Sequence, residues 1–250
     1  MKKIIVFNFK SFFIKQEVRQ KIFNFFNNLD PEIFKKYQII LAPHSYYFLE
    51  FKKNLNQKIL FSGQNIFWLN KFPCTGETTP WILKDLKIKY SIIGHSERKI
   101  YLKENEEMVN LKLKACFSWE IIPIICCGEE KRVNDFQAKK NIFNQLNEIF
   151  KGINLKGEKF IIAYEPFWAI GTGKLPSPLE IKNRLSIIRF WLERRFNEKV
   201  AQKTPLLYGG SVSQKNIELL LKEKEINGVL IGSLSTKINF LEKLAKKILK

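Results

Sequence analysis

Apolar runs of strand length return eight times along the chain, at Lys3–Phe7, Tyr37–Ala42, Ile59–Ser62, Tyr90–Ile93, Ile121–Cys126, Phe160–Tyr164, Leu206–Tyr208 and Val229–Ile231. Most are rich in isoleucine and lack the polar alternation of a strand with one wet face. Strands that bury both faces read this way, as in a parallel sheet covered by helices. Between the runs lie stretches with helical spacing. Glu17–Leu29 puts Val18, Ile22, Phe25, Phe26 and Leu29 on one stripe, and Asn134–Lys151 and Leu179–Asn197 read the same way. Ser177 followed by Pro178 predicts a capped start for the last of these. Ser213–Lys222, with Ser213 as cap, and Ile238–Leu249 follow. Strand-to-strand spacing averages roughly 30 residues, the size of one βαβ unit. No linker or low-complexity tract divides the units. The pattern predicts an α/β fold: a single (β/α)8 TIM barrel over residues 1–250, eight parallel strands inside a ring of helices. A doubly wound sheet is the alternative, but its GxGxxG phosphate fingerprint is missing after the first strand.

In such a barrel the chemistry sits where strands end, so the strand ends narrow the function. Strand 1 ends in Asn8-Phe9-Lys10, where a lysine in the mouth supplies positive charge for an anionic substrate. Strand 4 ends in Gly94-His95-Ser96-Glu97-Arg98. His95 there starts a turn or short helix, whose N–H groups oppose a second positive charge and favour a neutral imidazole able to polarise a carbonyl. His44, before an aromatic cluster, reads as structural or exposed. Strand 6 ends in Glu165-Pro166, followed by Phe167-Trp168-Ala169-Ile170-Gly171-Thr172-Gly173-Lys174. Glu165 ends an apolar strand, partly desolvated, as a general base should be. The residues after it read as a lid with a rigid proline start, an apolar body and glycines able to approach an anion. Gly209-Gly210-Ser211 after strand 7 and Gly232-Ser233 after strand 8 are turns of the kind that bind phosphate.

Charge raises a competing function. Lys+Arg number 43 against 24 Asp+Glu, a formal net charge of +19. Such a balance is the footprint of a nucleic-acid binder. Yet the bases are mostly lysine, spread over nearly every helix, and they travel with abundant isoleucine, asparagine and phenylalanine, all encoded by A+T-rich codons. No specific nucleic-acid partner is expected. The four cysteines, Cys74, Cys116, Cys126 and Cys127, form no CxxC, and only two histidines are present, so neither a zinc site nor a disulfide framework is expected. No apolar run is long enough to span a bilayer, and the N-terminus turns polar too soon for a signal peptide, so a cytoplasmic protein with no membrane partner is expected.

Taken together, these stretches resemble the triosephosphate isomerase family. The matching segments are Asn8–Lys10, Gly63-Gln64-Asn65, Cys74-Thr75-Gly76-Glu77, Gly94–Arg98, Pro123-Ile124-Ile125-Cys126-Cys127-Gly128-Glu129, Tyr164–Lys174 and Tyr208-Gly209-Gly210-Ser211-Val212, in family order from end to end. The resemblance implies interconversion of dihydroxyacetone phosphate and D-glyceraldehyde 3-phosphate through an enediolate, a step of glycolysis and gluconeogenesis, with no metal or organic cofactor. It implies Glu165 as base, neutral His95 as electrophile, Lys10 as a positive charge toward oxyanion and phosphate, Asn8 orienting His95 or substrate, and Glu97 positioning Lys10. Backbone N–H groups of Gly171, Ser211, Gly232 and Ser233 would hold the phosphate. The lid set is Pro166, Trp168, Gly171, Thr172, Gly173, Lys174, Pro176 and Tyr208. A homodimer is implied, with Thr75, Gly76 and Glu77 inserting into the partner and Arg98 pairing with the partner's Glu77.

The chain departs from the family pattern at several positions. Phe9 stands where tryptophan is usual, and Glu120 where glycine is usual. Gly232-Ser233-Leu234-Ser235 replaces the usual Gly-Gly-Ala-Ser, which puts a bulky Leu234 beside the phosphate turn. Pro176 replaces an alanine whose N–H binds the hydroxyl matching Tyr208 when the lid closes. Proline has no N–H, so this latch is expected to be missing. Another phosphate-binding barrel enzyme would share the turns after strands 7 and 8, but has no reason to carry Gly94–Arg98 and Tyr164–Lys174 together.

Overall fold

A computed structural model describes residues 2–69, 74–170, 172 and 175–248. Eight parallel strands close into a barrel in sequence order. They are β1 (Lys3–Asn8), β2 (Tyr37–Ala42), β3 (Leu60–Gly63), β4 (Tyr90–Ile93), β5 (Ile122–Cys127), β6 (Ile161–Tyr164), β7 (Leu206–Tyr208) and β8 (Gly228–Ile231). Each falls within one residue of its expected run at either end. The register Ile4↔Gly228 to Phe7↔Ile231 joins first strand to last. Gly228 is required there, because a Cβ would run into the Ile4 carbonyl.

The described helices are α1 (Gln16–Asn27), α2 (Ile33–Lys36), α3 (Phe48–Asn54), α4 (Pro80–Asp85), α5 (Ser96–Leu102), α6 (Glu106–Ser118), α7 (Asp135–Ile149), α8 (Pro178–Arg195), α9 (Glu198–Lys203), α10 (Ile217–Lys222) and α11 (Ile238–Ile248). Caps account for several starts. Ser177 Oγ accepts the Glu180 N–H at 3.1 Å at the head of α8, and Asn134 does the same for Gln137 at α7. The expected start at Ser213 is wrong by four residues. Asn216 captures the local backbone instead, its Oδ1 accepting from Ser213 N and its Nδ2 donating to Ser211 O, and α10 starts only after it. Side-chain competition of this kind delays a helix.

Two apolar layers explain the missing alternation. Ile4, Val6, Ile40, Ala42, Tyr90, Ile92, Ile124, Cys126, Ile161, Ala163, Leu207 and Leu230 fill the barrel interior. The opposite parity, including Ile5, Phe7, Ile39, Leu41, Ile93, Ile125, Ile162 and Ile231, packs outward on the helices. Strands wet on neither face need no polar positions. The two-residue period then carries on into the mouth. After Ile4 and Val6 it delivers Asn8, after Ile161 and Ala163 it delivers Glu165, and after Leu207 and Leu230 it delivers Gly209 and Gly232. No described helix is long and apolar enough to cross a membrane.

Candidate active site at the barrel mouth

Gly94, at φ +71, turns the chain out of β4 so that His95 caps α5. The His95 Nδ1 accepts the Glu97 N–H at 3.2 Å. An accepting Nδ1 carries no proton, so the neutral ring keeps its hydrogen on Nε2. That Nε2 lies 3.6 Å from Glu165 Oε1. His44, in contrast, is exposed and caps a short turn through Tyr46 N.

Glu165 is fully buried. Its Oε2 accepts the Ser96 N–H at 3.2 Å, while Oε1 has no hydrogen-bond partner among the described residues. Two glycines make room for it. A Cβ on Gly128 would collide with the Glu165 carbonyl, and one on Gly209 would stand 2.9 Å from Glu165 Cγ. Gln145 on α7 fixes Gly128 in both directions, donating to its carbonyl at 2.8 Å and accepting its N–H at 3.1 Å. Behind the carboxylate lie Cys126 and Cys127, both buried and free. Burial and then the Glu165 charge push the Cys126 thiol up, and burial pushes Cys127 up to about 12. These thiols are inert packing groups.

Lys10 adopts φ +51, a costly backbone for a side-chain-bearing residue. Three contacts hold it there. Its N–H donates to Asn8 Oδ1 at 3.0 Å, its carbonyl accepts from Gln64 Nε2 at 2.7 Å, and its Nζ meets Glu97 Oε1 at 2.5 Å. Glu97 thus meets the Lys10 ammonium directly. Asn8 spends its oxygen on the Lys10 backbone rather than on His95. Gly232 lies beside the same ammonium, since a Cβ there would come within 3.5 Å of Lys10 Nζ. Ser233 opens the short turn Ser233–Thr236, and Leu234, partly buried, packs against the core. Ser211 Oγ donates to Ala169 O at 2.5 Å, tying the β7 turn to the residues after Glu165. Gly171, Gly173 and Lys174 lie outside the described residues. Thr172 Oγ1 donates to Ala169 O at 3.2 Å.

Two buried ion clusters stand behind the mouth, and neither is foreseeable from charge pattern. On the His95 side, Glu104 Oε1 accepts Gly94 N at 3.2 Å, and its Oε2 takes both Arg98 Nε at 2.6 Å and Lys112 Nζ. Lys112 also donates to Asn65 Oδ1 at 2.8 Å, and Asn65 Nδ2 donates to Glu77 Oε2 at 3.1 Å. Burial alone would raise the Glu104 carboxyl. Lys112 and Arg98 outweigh it and hold the group below the usual carboxylate range. On the Glu165 side, Arg184 meets Glu129 Oε1 at 2.5 Å, Asp135, and the Val133 carbonyl at 2.9 Å. The Tyr164 hydroxyl lies beside the Glu129 carboxylate, and burial and then that charge push the phenol up.

Asn8, Lys10, His95 and Glu97 line one cavity of about 410 Å³, and Gly76, Glu77 and Arg98 line its outer side. The larger cavity at the opposite end of the barrel, about 740 Å³ and floored by Tyr90, Ile122 and Phe160, gathers none of these groups. Among the described residues no cluster of three or more His, Cys, Asp or Glu could hold a metal ion.

The family model described as triosephosphate isomerase matches residues 3–248. The chain belongs to that family. Among curated triosephosphate isomerases, the one from Dictyoglomus turgidum is 37% identical over 239 residues, covering 94% of this chain and 95% of its own length. That of Neurospora crassa is 36% identical over 238 residues, 94% of each chain. That of Mycoplasma pneumoniae is 36% identical over 200 residues, 80% of each. Of the departures from the family pattern, Glu120 keeps a φ of +55, the backbone that suits a glycine. Phe9 is buried and meets Phe51 edge to face at 5.4 Å, so an aromatic is retained in that slot. Pro176 is buried, and the Tyr208 hydroxyl is buried with no hydrogen-bond partner among the described residues. Gln64, Gln145, Ser96 and Glu104 are positioning groups to which sequence reasoning assigned no role. Gln64, Ser96 and Glu129 lie inside the family-matching segments, which was the available signal.

Proposed function

We propose that this family member interconverts dihydroxyacetone phosphate and D-glyceraldehyde 3-phosphate, a cytoplasmic step shared by glycolysis and gluconeogenesis. The observation that carries the proposal is the convergence of Glu165, the Nε2–H of His95 and Lys10 Nζ at one mouth. The Glu165 carboxylate leaves Ser96 N–H and takes a proton from the carbon beside the substrate carbonyl. His95 Nε2–H and Lys10 stabilise the oxygens of the resulting enediolate. Glu165 then returns the proton to the neighbouring carbon, so the reaction balances with no external oxidant or cofactor. Neutral His95 suits this work, because its Nδ1 is already occupied as an acceptor. Backbone N–H groups of Gly171, Ser211, Gly232 and Ser233 hold the phosphate, and Gly232 brings that charge beside Lys10. Residues Pro166 to Pro176 act as the lid that keeps water from the enediolate.

The same reading includes a homodimer. Exposed Phe13, Tyr46, Leu49, Trp81, Tyr101 and Leu102 all lie in the segments after β1 to β4, and Tyr101 and Leu102 line the His95 cavity. An apolar rim of that kind marks an interaction site. Thr75, Gly76 and Glu77 of one copy enter the cavity of the other, where Arg98 meets them. Sedimentation at the mass of a single chain would remove this part.

A coupled assay with each triose phosphate tests the activity. Wild type should turn over both, and Glu165→Gln should lose about 10²- to 10⁴-fold in rate. Absence of turnover in the wild type overturns the function. A Glu165→Gln variant that keeps most of the rate overturns the base.

A further inference from the structure

The residues just after Glu165 are held by backbone and side-chain groups that the proposed reaction itself does not use. Phe167 N–H donates to Glu129 O at 3.0 Å, and Lys99 Nζ sits 5.6 Å from the Phe167 ring. The Arg132 guanidinium, from the loop between β5 and α7, lies 5.2 Å from the Trp168 ring. The same guanidinium forks onto Glu180, Nη2 to Oε2 at 2.8 Å and Nε to Oε1 at 3.4 Å. Glu180 stands at the third position of α8, three residues after the Ser177 cap. A glutamate there commonly turns back to the cap's own N–H. Here it reaches out to Arg132, although 62% of the Arg132 side chain is exposed.

We propose that Arg132 is a positioning residue for the turn Phe167–Ala169. One planar cation joins Trp168, three residues past Glu165, to the first turn of α8, on the far side of residues 170–177. The two ends of that span are thus tied by side chains as well as by the chain between them. The tie orders the turn before substrate arrives. Without it, that ordering must be drawn from substrate binding energy. The cost therefore falls on affinity, not on the proton transfer. Arg132 touches neither substrate nor Glu165. The inference rests on the reading of Glu165 as base and of the following residues as the phosphate-gripping lid.

Arg132→Met keeps the aliphatic stem and removes both contacts. An exposed cation–π contact of ordinary strength sets the expected size, so KM for triose phosphate should rise about two- to five-fold with kcat kept. Arg132→Lys should recover only part of the loss, because an ammonium can sit on the indole but cannot fork onto Glu180. Trp168→Leu should make Arg132→Met silent. An activity-independent signal comes from 5-fluorotryptophan labelling. The Trp168 fluorine resonance, recognised by its loss in Trp168→Phe, should shift and broaden in Arg132→Met and in Glu180→Gln. Those of Trp68, Trp81, Trp119 and Trp191 should stay in place. An unchanged KM, a lowered KM, or a fall in kcat alone overturns the proposal, as does an unmoved Trp168 resonance. If wild type turns over neither triose phosphate while the resonance still moves, the proposed function fails and the physical tie remains.

Discussion

The two ion clusters behind the mouth look alike in composition and differ in what meets the buried carboxylate. Glu104, beside His95, has both carboxylate oxygens engaged by Gly94 N–H, Arg98 and Lys112. Glu129, beside the turn after Glu165, gives one oxygen to Arg184 and has the neutral Tyr164 hydroxyl beside it in place of a second cation. Removing the carboxylate charge therefore strands two cations in the first cluster and leaves Arg184 its Asp135 partner in the second.

The sharpest break of this comparison is a pair of stability measurements. Glu104→Gln strips the charge partner from Lys112 and Arg98 together, and should cost about 3–5 kcal/mol in urea unfolding. Glu129→Gln should cost clearly less, because Arg184 keeps Asp135 and the Val133 carbonyl. Equal losses would erase the distinction. Acid sharpens it. The Glu104 carboxyl is held below its unfolded value, so its contribution is complete above the unfolded value of about 4.3 and disappears as pH falls through the folded one. Stability of the wild type should fall more steeply below that range than stability of Glu104→Gln, read from urea midpoints across pH. A smaller effect is expected at Tyr208. Its hydroxyl has no bond to a described residue and Pro176 offers no N–H, so Tyr208→Phe should slow turnover by less than about tenfold, or 1.4 kcal/mol of barrier. A larger kinetic loss would mean that the hydroxyl finds a partner during the reaction. Smallest is a control away from both clusters. Lys87 closes α4 with φ +52, and Lys87→Gly should raise stability by about 0.5–1 kcal/mol, with activity unchanged.

What could be read from the sequence follows the same division. The strands were legible because each buries both faces and so appears as an unbroken apolar run. Asn8, Glu165, Gly209 and Gly232 were legible because the strand period carries into the mouth. Helix α6 was not. Its buried face includes Asn110 and Lys112, which break the apolar stripe that reveals a helix such as α1. Lys112 and Arg184 read as solvated charges, because in a linear sequence nothing distinguishes a lysine facing water from one facing Glu104. Only distant pairing makes their burial tolerable. The start of α10 was missed for a local reason, since Asn216 outcompetes Ser213 for the backbone. Of the lysines behind the +19 charge, first a candidate function, Lys10 is the one among the described residues that lines the mouth. The Lys10 ammonium is held there by Glu97 and by an unusual backbone.

Closing the barrel also has a consequence in time. Strand β1 is made first, and its second neighbour is made nearly last, because Ile4 must wait for Gly228. At roughly 5–20 residues per second, a ribosome needs about 10–45 s to bridge that interval. Throughout it the nascent chain presents an isoleucine-rich edge with open N–H and C=O groups, the kind that recruits other chains. Yield during synthesis, more than the stability of the finished molecule, is thus the property that expression rate and temperature will govern.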